Sequence, residues 1–185
     1  MTFQKTMMSA AALALFAGAA SAENPMVGGA EMYADKNIVE NAVNSADHTT
    51  LVAAVKAAGL VDTLAGEGPF TVFAPTNKAF ERLEGGAVEM LLKPENKDRL
   101  VETLTCHVVG TTAMSDAITG MIADDDGHHP VETLGGCVLD ASLADDGRVL
   151  LTDENGNGAF VTIADVKQSN GVIHVIDGVM LPKQP

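Results

Sequence analysis

The run Gly171–Pro182, close to the C-terminus, constrains the fold more than any other part of this chain. Its side chains are mostly aliphatic, and His174 stands among them. A run this apolar has to be buried, which predicts a central strand rather than a frayed tail. The segment Thr71–Phe80 has a matching character, because an apolar strand passes through Pro75 into a helix. We interpret both segments as framework and not as an active site.

Residues 1–22 have the pattern of a secretory signal peptide. Lys5 gives a basic start, Met7–Ala20 is an apolar, alanine-rich run, and Ala20–Ala22 supplies the small residues of a cleavage site. The apolar run is too short, and wrongly flanked, for a membrane span. We therefore expect cleavage after Ala22 and a soluble, secreted or periplasmic protein without a membrane span.

The charge balance and the aromatic content exclude some partners. The chain has 11 Lys and Arg against 25 Asp and Glu, a formal net charge of −14 at pH 7. Such an acidic surface repels phosphate backbones, so we do not expect a nucleic acid partner. The absence of tryptophan, together with a single tyrosine, Tyr33, argues against an aromatic platform that stacks on sugar rings.

Helical patterns dominate the first half of the chain and alternating patterns the second half. Leu51, Val52 and Val55 fall on one face of a predicted helix, and Leu100–Val108 marks another. Clusters of Gly, Asp and Asn then separate runs with a period of two at hairpin spacing, namely Val131–Leu134, Val138–Leu143, Val149–Leu151, Phe160–Ile163 and Val172–Ile176. This order predicts one α+β domain over residues 37–183, preceded by an N-terminal lead-in over residues 23–36.

Three segments resemble the fasciclin-like domain, a family of secreted and cell-surface adhesion modules. Thr71–Phe80 is similar to its first signature, Asn170–Asp177 to its second, and Leu104–Val109 to its Tyr-His segment. The resemblance runs from Asn37 to Pro182 and implies a compact wedge of β-strands with several short flanking helices. It also implies a set of structural signature positions: Thr71, Phe73, Pro75, Asn77, Phe80, Gly171, His174 and Asp177. From the residues themselves, we expect His174 to be a core histidine and Asp177 to order the turn after the last strand.

The chain departs from the family pattern where the resemblance implies adhesive contacts. Cys106 stands where tyrosine is usual, and the segment Asn96–Leu100 has Arg99 where isoleucine is expected after the aspartate. Carried over residue by residue, the candidate partner contacts are Asn96, Asp98, Cys106 and His107. A structural histidine that bonds backbone groups is the alternative for His107, and the one that we favour.

Cys106 and Cys137 are the two cysteines of the chain. In an oxidising compartment a disulfide between them can persist, and it would stabilise the fold by roughly 3–4 kcal/mol in the chain-entropy model. The alternative is two buried free thiols, because cysteine often acts as a small apolar residue. We expect the disulfide.

Two acidic segments resemble metal sites without completing one. Asp153–Gly158 fits the start of a calcium loop, but Ala164 occupies the position of the bidentate glutamate, so a hairpin turn explains the residues better. Asp124–His129 lacks the ligand spacing of a zinc site, which favours a solvated loop. We therefore expect neither a metal nor another cofactor.

The catalytic motifs of common enzyme classes are missing, among them G-x-S-x-G and H-E-x-x-H. Cys106 and His107 are adjacent, so their side chains point apart and cannot act as nucleophile and base. We expect an exported, non-enzymatic adhesion or protein-interaction module whose partner is a cell-surface or matrix protein, or a polysaccharide. The alternative is a periplasmic or matrix-binding protein for a small ligand, a glycan or a cation.

Overall fold

A computed structural model describes residues 24–184. The predicted signal peptide, residues 1–22, lies outside this part of the chain. The helices are α1 (Ile38–Ala42), α2 (Thr49–Ala58), α3 (Val61–Ala65), α4 (Asn77–Glu81), α5 (Ala87–Leu91), α6 (Lys97–Thr105) and α7 (Ser115–Asp124), with 3-10 turns at Ala46–His48 and Pro94–Asn96. The strands are β1 (Met26–Val27), β2 (Ala30–Glu31), β3 (Phe70–Pro75), β4 (Val108–Val109), β5 (His128–Glu132), β6 (Val138–Leu143), β7 (Val149–Thr152), β8 (Gly158–Gln168) and β9 (Gly171–Ile176).

Local sequence signals explain where several helices begin and end. Asn37 and Glu40 form a capping box at the start of α1, and the Thr76 side chain accepts a hydrogen bond from the Ala79 N–H at the start of α4. Gly59 ends α2 in the left-handed conformation, with φ 75°, which glycine adopts without strain. None of the helices within residues 24–184 has the length and the apolar character needed to cross a membrane.

The main sheet of the described chain has seven strands in the order β4-β3-β9-β8-β7-β6-β5. β3 and β9 run parallel, and the other neighbouring strands are antiparallel. β9 therefore lies between β3 and β8, and its residues from Val172 to Ile176 are all buried. The prediction that the apolar C-terminal run forms a central strand is confirmed. The fold is the expected α+β wedge of strands with short helices around it.

Two hydrophobic cores lie on the two faces of the central strands. Val72, Ile173 and Val175 pack with the helical first half of the chain, whereas Phe73 and Ile176 pack with α7 and with strands β6 to β8. Successive side chains of a strand point to opposite faces, so β3 and β9 contribute to both cores. This explains why their sequences are apolar without alternation.

β8 is longer than the sequence pattern predicted, and it is irregular. Its register against β9 shifts between Val161 and Val166, and Asp165 lies there with φ 60°. Such a bulge bends a strand and redirects one side chain. The Asp165 carboxylate accepts hydrogen bonds from the N–H and the hydroxyl of Ser115, at the start of α7. The bulge therefore attaches α7 to the sheet.

The edge of the sheet at β5 differs from the prediction. The structure places His128 and His129 in β5, not in a solvated loop, and the strand ends at Glu132, before Leu134. Pro130 lies in the middle of this edge strand and pairs with Asp140 of β6. Because proline lacks an N–H, it makes the open edge a poor template for pairing with another chain.

Candidate interaction groove

Cys106 and His107, which correspond to the family's Tyr-His pair, lie inside the protein just after α6. The exposed fraction is 0% for Cys106 and 2% for His107. Cys106 forms a disulfide with Cys137, which lies between β5 and β6, and the two Cα atoms are 5.3 Å apart. The disulfide thus connects the end of the helical half to the outer strands.

His107 uses both ring nitrogens to bond the backbone. Nδ1 lies 2.8 Å from the Thr103 carbonyl oxygen, to which it donates, and Nε2 accepts from the Met180 N–H at 2.9 Å. These partners fix the neutral tautomer with the proton on Nδ1. Burial lowers the pKa of His107 to about 4, although the hydrogen bond to Thr103 acts in the opposite direction.

The resemblance offered the side chains of Cys106 and His107 as candidate partner contacts, but both are buried and so lie out of reach of a partner of the folded protein. The favoured alternative, a histidine that bonds backbone groups, describes His107. Asn96 and Asp98 are different. Asp98 is exposed in the first turn of α6, and Asn96 is partly exposed just before it. These two residues remain available as contacts.

Asn96 lines an open groove between the helices and the end of the chain. We name it the α5–α6 groove. Its volume is about 610 Å³, within the range of ligand-binding clefts, roughly 300–1,000 Å³. It is lined by Arg82, Leu83, Glu84, Ala87, Met90, Leu91, Asn96, Arg99, Thr103, Asn155, Asn157, Leu181, Pro182 and Gln184.

The two arginines of the groove have different surroundings. Arg82 donates to the Asp177 carbonyl oxygen at 2.7 Å and lies 3.3 Å from the Asp177 carboxylate. Arg99 has no hydrogen-bond or salt-bridge partner among residues 24–184. Glu84 is the acidic residue that lines the groove. The groove thus combines two cations with one anion on a strongly acidic chain.

The β7–β8 turn holds the C-terminal wall of the groove. Asp153 is buried, and its carboxylate accepts from the backbone N–H groups of Asn155, Asn157 and Leu181, each at 2.9 Å. The Asn155 side chain donates to the carbonyl oxygens of Leu181 and Pro182. The hairpin turn predicted for Asp153–Gly158 is confirmed, and its first carboxylate faces inward onto the backbone.

The second acidic segment forms isolated pairs on the surface. His128 Nδ1 lies 2.9 Å from the Asp140 carboxylate, and His129 Nδ1 lies 2.6 Å from that of Asp125. Residues 24–184 contain no group of three or more His, Cys, Asp or Glu side chains that could hold a metal ion.

The structural signature positions make framework contacts. Phe73 stacks on His174 at a centroid distance of 5.8 Å, and His174 bonds Ala113 and Asp165 of the backbone. Asn77 connects the start of α2 to α4, and Thr71 bonds the loop after β4. The other positions are similar: Pro75 and Phe80 are buried, and Gly171 faces the Phe70 backbone.

Asp177 is a partial exception to its prediction. Its carboxylate accepts from the Phe160 N–H of β8 at 2.8 Å and pairs with Arg82. Asp177 therefore links the end of β9 to the neighbouring strand β8 and to the end of α4. Its carboxylate does not order the turn after β9.

Asn170 is an anchoring residue that the sequence patterns do not reveal. Its side chain accepts from the Ile38 N–H and donates to the Leu64 and Gly66 carbonyl oxygens, so it joins α1, α3 and β9. Its only signal in the sequence was its place before Gly171 in the second signature.

A family model of the fasciclin domain matches residues 46–182. The chain belongs to the fasciclin domain family. The matched range lies inside the domain predicted for residues 37–183 and contains the groove up to Pro182. The resemblance that the signatures indicated is confirmed.

Several known proteins are similar to this chain. Protein sll1483 of Synechocystis sp. is 51% identical over 146 residues, which are 78% of this chain and 73% of that protein. Transforming growth factor-beta-induced protein ig-h3 of Sus scrofa is 33% identical over 133 residues, 72% of this chain but 17% of that protein. A solved fasciclin domain pair from the insect cell adhesion molecule Fasciclin I superposes with a TM-score of 0.68 at 19% identity, covering 79% of this chain and 51% of that one. At this identity the solved pair shows the fold alone, and this chain spans about half of it.

Proposed function

We propose that this protein is an exported, non-enzymatic adhesion or protein-interaction module. The α5–α6 groove is the observation that carries the proposal, because it is open, lined by both polar and apolar groups, and adjacent to the exposed Asp98. The family supports it as well, since it includes the insect cell adhesion molecule Fasciclin I. The partner is a cell-surface or matrix protein in this proposal.

The chemistry of the buried histidines supports a binding role over a catalytic one. Both ring nitrogens of His107 and of His174 lie within hydrogen-bond distance of backbone groups, and both rings are buried. Cys106 is held in the disulfide. A general base needs a nitrogen within reach of a substrate proton, and these side chains do not offer one.

Export is supported by the signal-peptide pattern of residues 1–22 and by the disulfide, which persists outside the reducing cytoplasm. Mass spectrometry of the protein from the native cell tests it. We expect a mature chain that begins at Glu23 with Cys106 and Cys137 joined. A chain that retains Met1 and two free thiols would contradict export.

Site-specific photo-crosslinking on the native cell surface tests the contact role. A crosslinking amino acid replaces Asp98, beside the groove, and in the control it replaces Asp145, an exposed residue in the β6–β7 turn. We expect a discrete crosslinked protein from position 98 that is absent from position 145. Identical products at both positions, together with normal surface attachment of a deletion strain, would rule the proposal out.

A further inference from the structure

We propose that the α5–α6 groove binds an extended peptide segment that carries a carboxylate beside an apolar side chain, with Arg99 as the partner of the carboxylate. This inference rests on the proposed interaction role and specifies the chemistry of the partner. Three features of the groove carry it: its charge, its apolar strip and its unused amide oxygens.

The charge of the groove opposes that of the molecule. The chain as a whole has more than twice as many acidic as basic side chains, yet the groove is lined by Arg82 and Arg99 against Glu84. Asp177 engages Arg82, whereas the Arg99 guanidinium is unpaired among residues 24–184. A guanidinium presents N–H donors in a fork that matches a carboxylate, so Arg99 is suited to an acidic side chain or a free C-terminus.

Apolar side chains line the same groove as Arg99, and we call them its apolar strip. Leu91, Leu181 and Pro182 line the groove, and Met90 is 58% exposed at its rim. Methionine is flexible and polarisable, which suits a surface that adapts to another side chain. The lining contains no aromatic residue, so the stacking surface that a sugar ring would use is absent there. The apolar strip therefore favours a peptide over a polysaccharide.

Two side-chain amides complete the peptide-binding character. The Asn96 side chain donates to the Met90 carbonyl oxygen, and the Asn157 side chain donates to Asp153. Both therefore present their N–H₂ groups to the protein, and neither amide oxygen has a partner among the described residues. Each oxygen can accept an N–H from an extended backbone.

Fluorescence anisotropy with defined peptides tests the proposal on the mature protein. The probes are labelled tetrapeptides that combine Leu or Val with Asp or Glu in every order, each with a counterpart in which Asn or Gln replaces the acid. Charged hydrogen bonds contribute about 1.5–3 kcal/mol, so Arg99→Gln should weaken binding of the best acidic peptide by about tenfold or more. Arg148→Gln is the control, because Arg148 pairs with Asp146 and lies outside the groove.

The outcomes separate this inference from the interaction role on which it rests. Equal affinity for acidic and amide peptides, equal effects of Arg99→Gln and Arg148→Gln, or no saturable binding up to millimolar peptide would each overturn the carboxylate-peptide groove. Tighter binding of a uronic acid oligosaccharide that displaces the peptide would overturn it in favour of a glycan. If the crosslinking amino acid at position 98 still captures a discrete protein in any of these cases, the interaction role stands. If the crosslink is absent as well, both proposals fail.

Discussion

Protonation of His107 should destabilise the folded protein in mild acid. The neutral ring donates from Nδ1 and accepts at Nε2, and the Met180 N–H points at Nε2 from 2.9 Å. A proton on Nε2 would place two donors against each other in a buried site. This conflict, added to the cost of burying a charge, agrees with a folded-state pKa of about 4 for His107, against 6.5 for an ordinary histidine.

The sign and size of the effect follow from linkage. Because the folded-state pKa is below the unfolded-state pKa, the unfolded chain binds more protons between pH 6.5 and pH 4. The stabilisation is therefore complete above pH 6.5 and is lost as the pH falls. For one group with these two pKa values, the free energy of unfolding falls by about 2 kcal/mol from pH 7.5 to pH 5, and by about 3 kcal/mol from pH 7.5 to pH 4. Burial also lowers the pKa values of His48 and His174, which act in the same direction.

Urea unfolding of the wild type and of His107→Phe at pH 7.5, 6 and 5 isolates the contribution of His107. The phenyl ring fills a similar volume but cannot be protonated, and it leaves the Met180 N–H unpaired at a cost of about 1–3 kcal/mol. We expect the difference in unfolding free energy between the two proteins to shrink by about 2 kcal/mol from pH 7.5 to pH 5. A constant difference for His107→Phe would refute the reasoning.

Three further perturbations have defined outcomes. Replacing both Cys106 and Cys137 by alanine opens a cross-link with a sequence separation of 31 and should cost about 3–4 kcal/mol, measured by urea unfolding with and without reductant; an unchanged midpoint would contradict it. Gly171→Ala places a Cβ against the backbone of the neighbouring strand and should cost more than about 4 kcal/mol, whereas Gly120→Ala, in open space on α7, should be neutral or stabilise by up to about 1 kcal/mol in thermal melts. Asp153→Ala leaves three backbone N–H groups without their acceptor and should lower the free energy of unfolding by about 3 kcal/mol or more. Because the Asp153 carboxylate faces the backbone, added calcium should leave the melting temperature of the wild type unchanged. A rise with calcium would restore the metal interpretation.

Elements whose determining contacts are local, or whose burial shows in the composition, could be predicted from the sequence. The apolar run of β9 indicated a strand with neighbours on both sides, and the structure places it between β3 and β8. The segment Thr71–Phe80 indicated a strand that passes through Pro75 into a helix, and the Thr76 side chain caps that helix, α4. The Asn and Gly residues after Asp153 indicated a hairpin turn, and that turn joins β7 to β8.

Hydrogen bonds from a polar side chain to a distant part of the chain could not be predicted from the sequence. Asn170 accepts from the N–H of Ile38, which is 132 residues away, and Asp165 accepts from Ser115, which is 50 residues away. No periodicity or spacing rule contains such pairings. The bulge at Asp165 also interrupts the alternation of inward and outward side chains along β8, so the sequence did not show that the strand continues past Ile163.

The groove could not be predicted from one segment, because four separate parts of the chain line it. The resemblance directed attention to Asn96, Asp98 and the Cys106–His107 pair, but it could not tell which of these side chains face outward. Burial divides them: α6 carries Asp98 on its exposed first turn and ends at Thr105, after which the chain enters the core.

The buried residues nonetheless affect the groove through its C-terminal wall. His107 holds the Met180 N–H, Asp153 holds the Leu181 N–H, and Asn155 bonds the Leu181 and Pro182 carbonyl oxygens. The wall contains no helix or strand of its own, so these side chains set its position. His107→Phe releases the Met180 N–H and should therefore weaken peptide binding in the same anisotropy assay at pH 7.5, where Arg99 and the peptide carboxylate both keep their charges. His107 would then affect partner binding from the core of the protein, because it positions the C-terminal wall of the groove without contacting the partner.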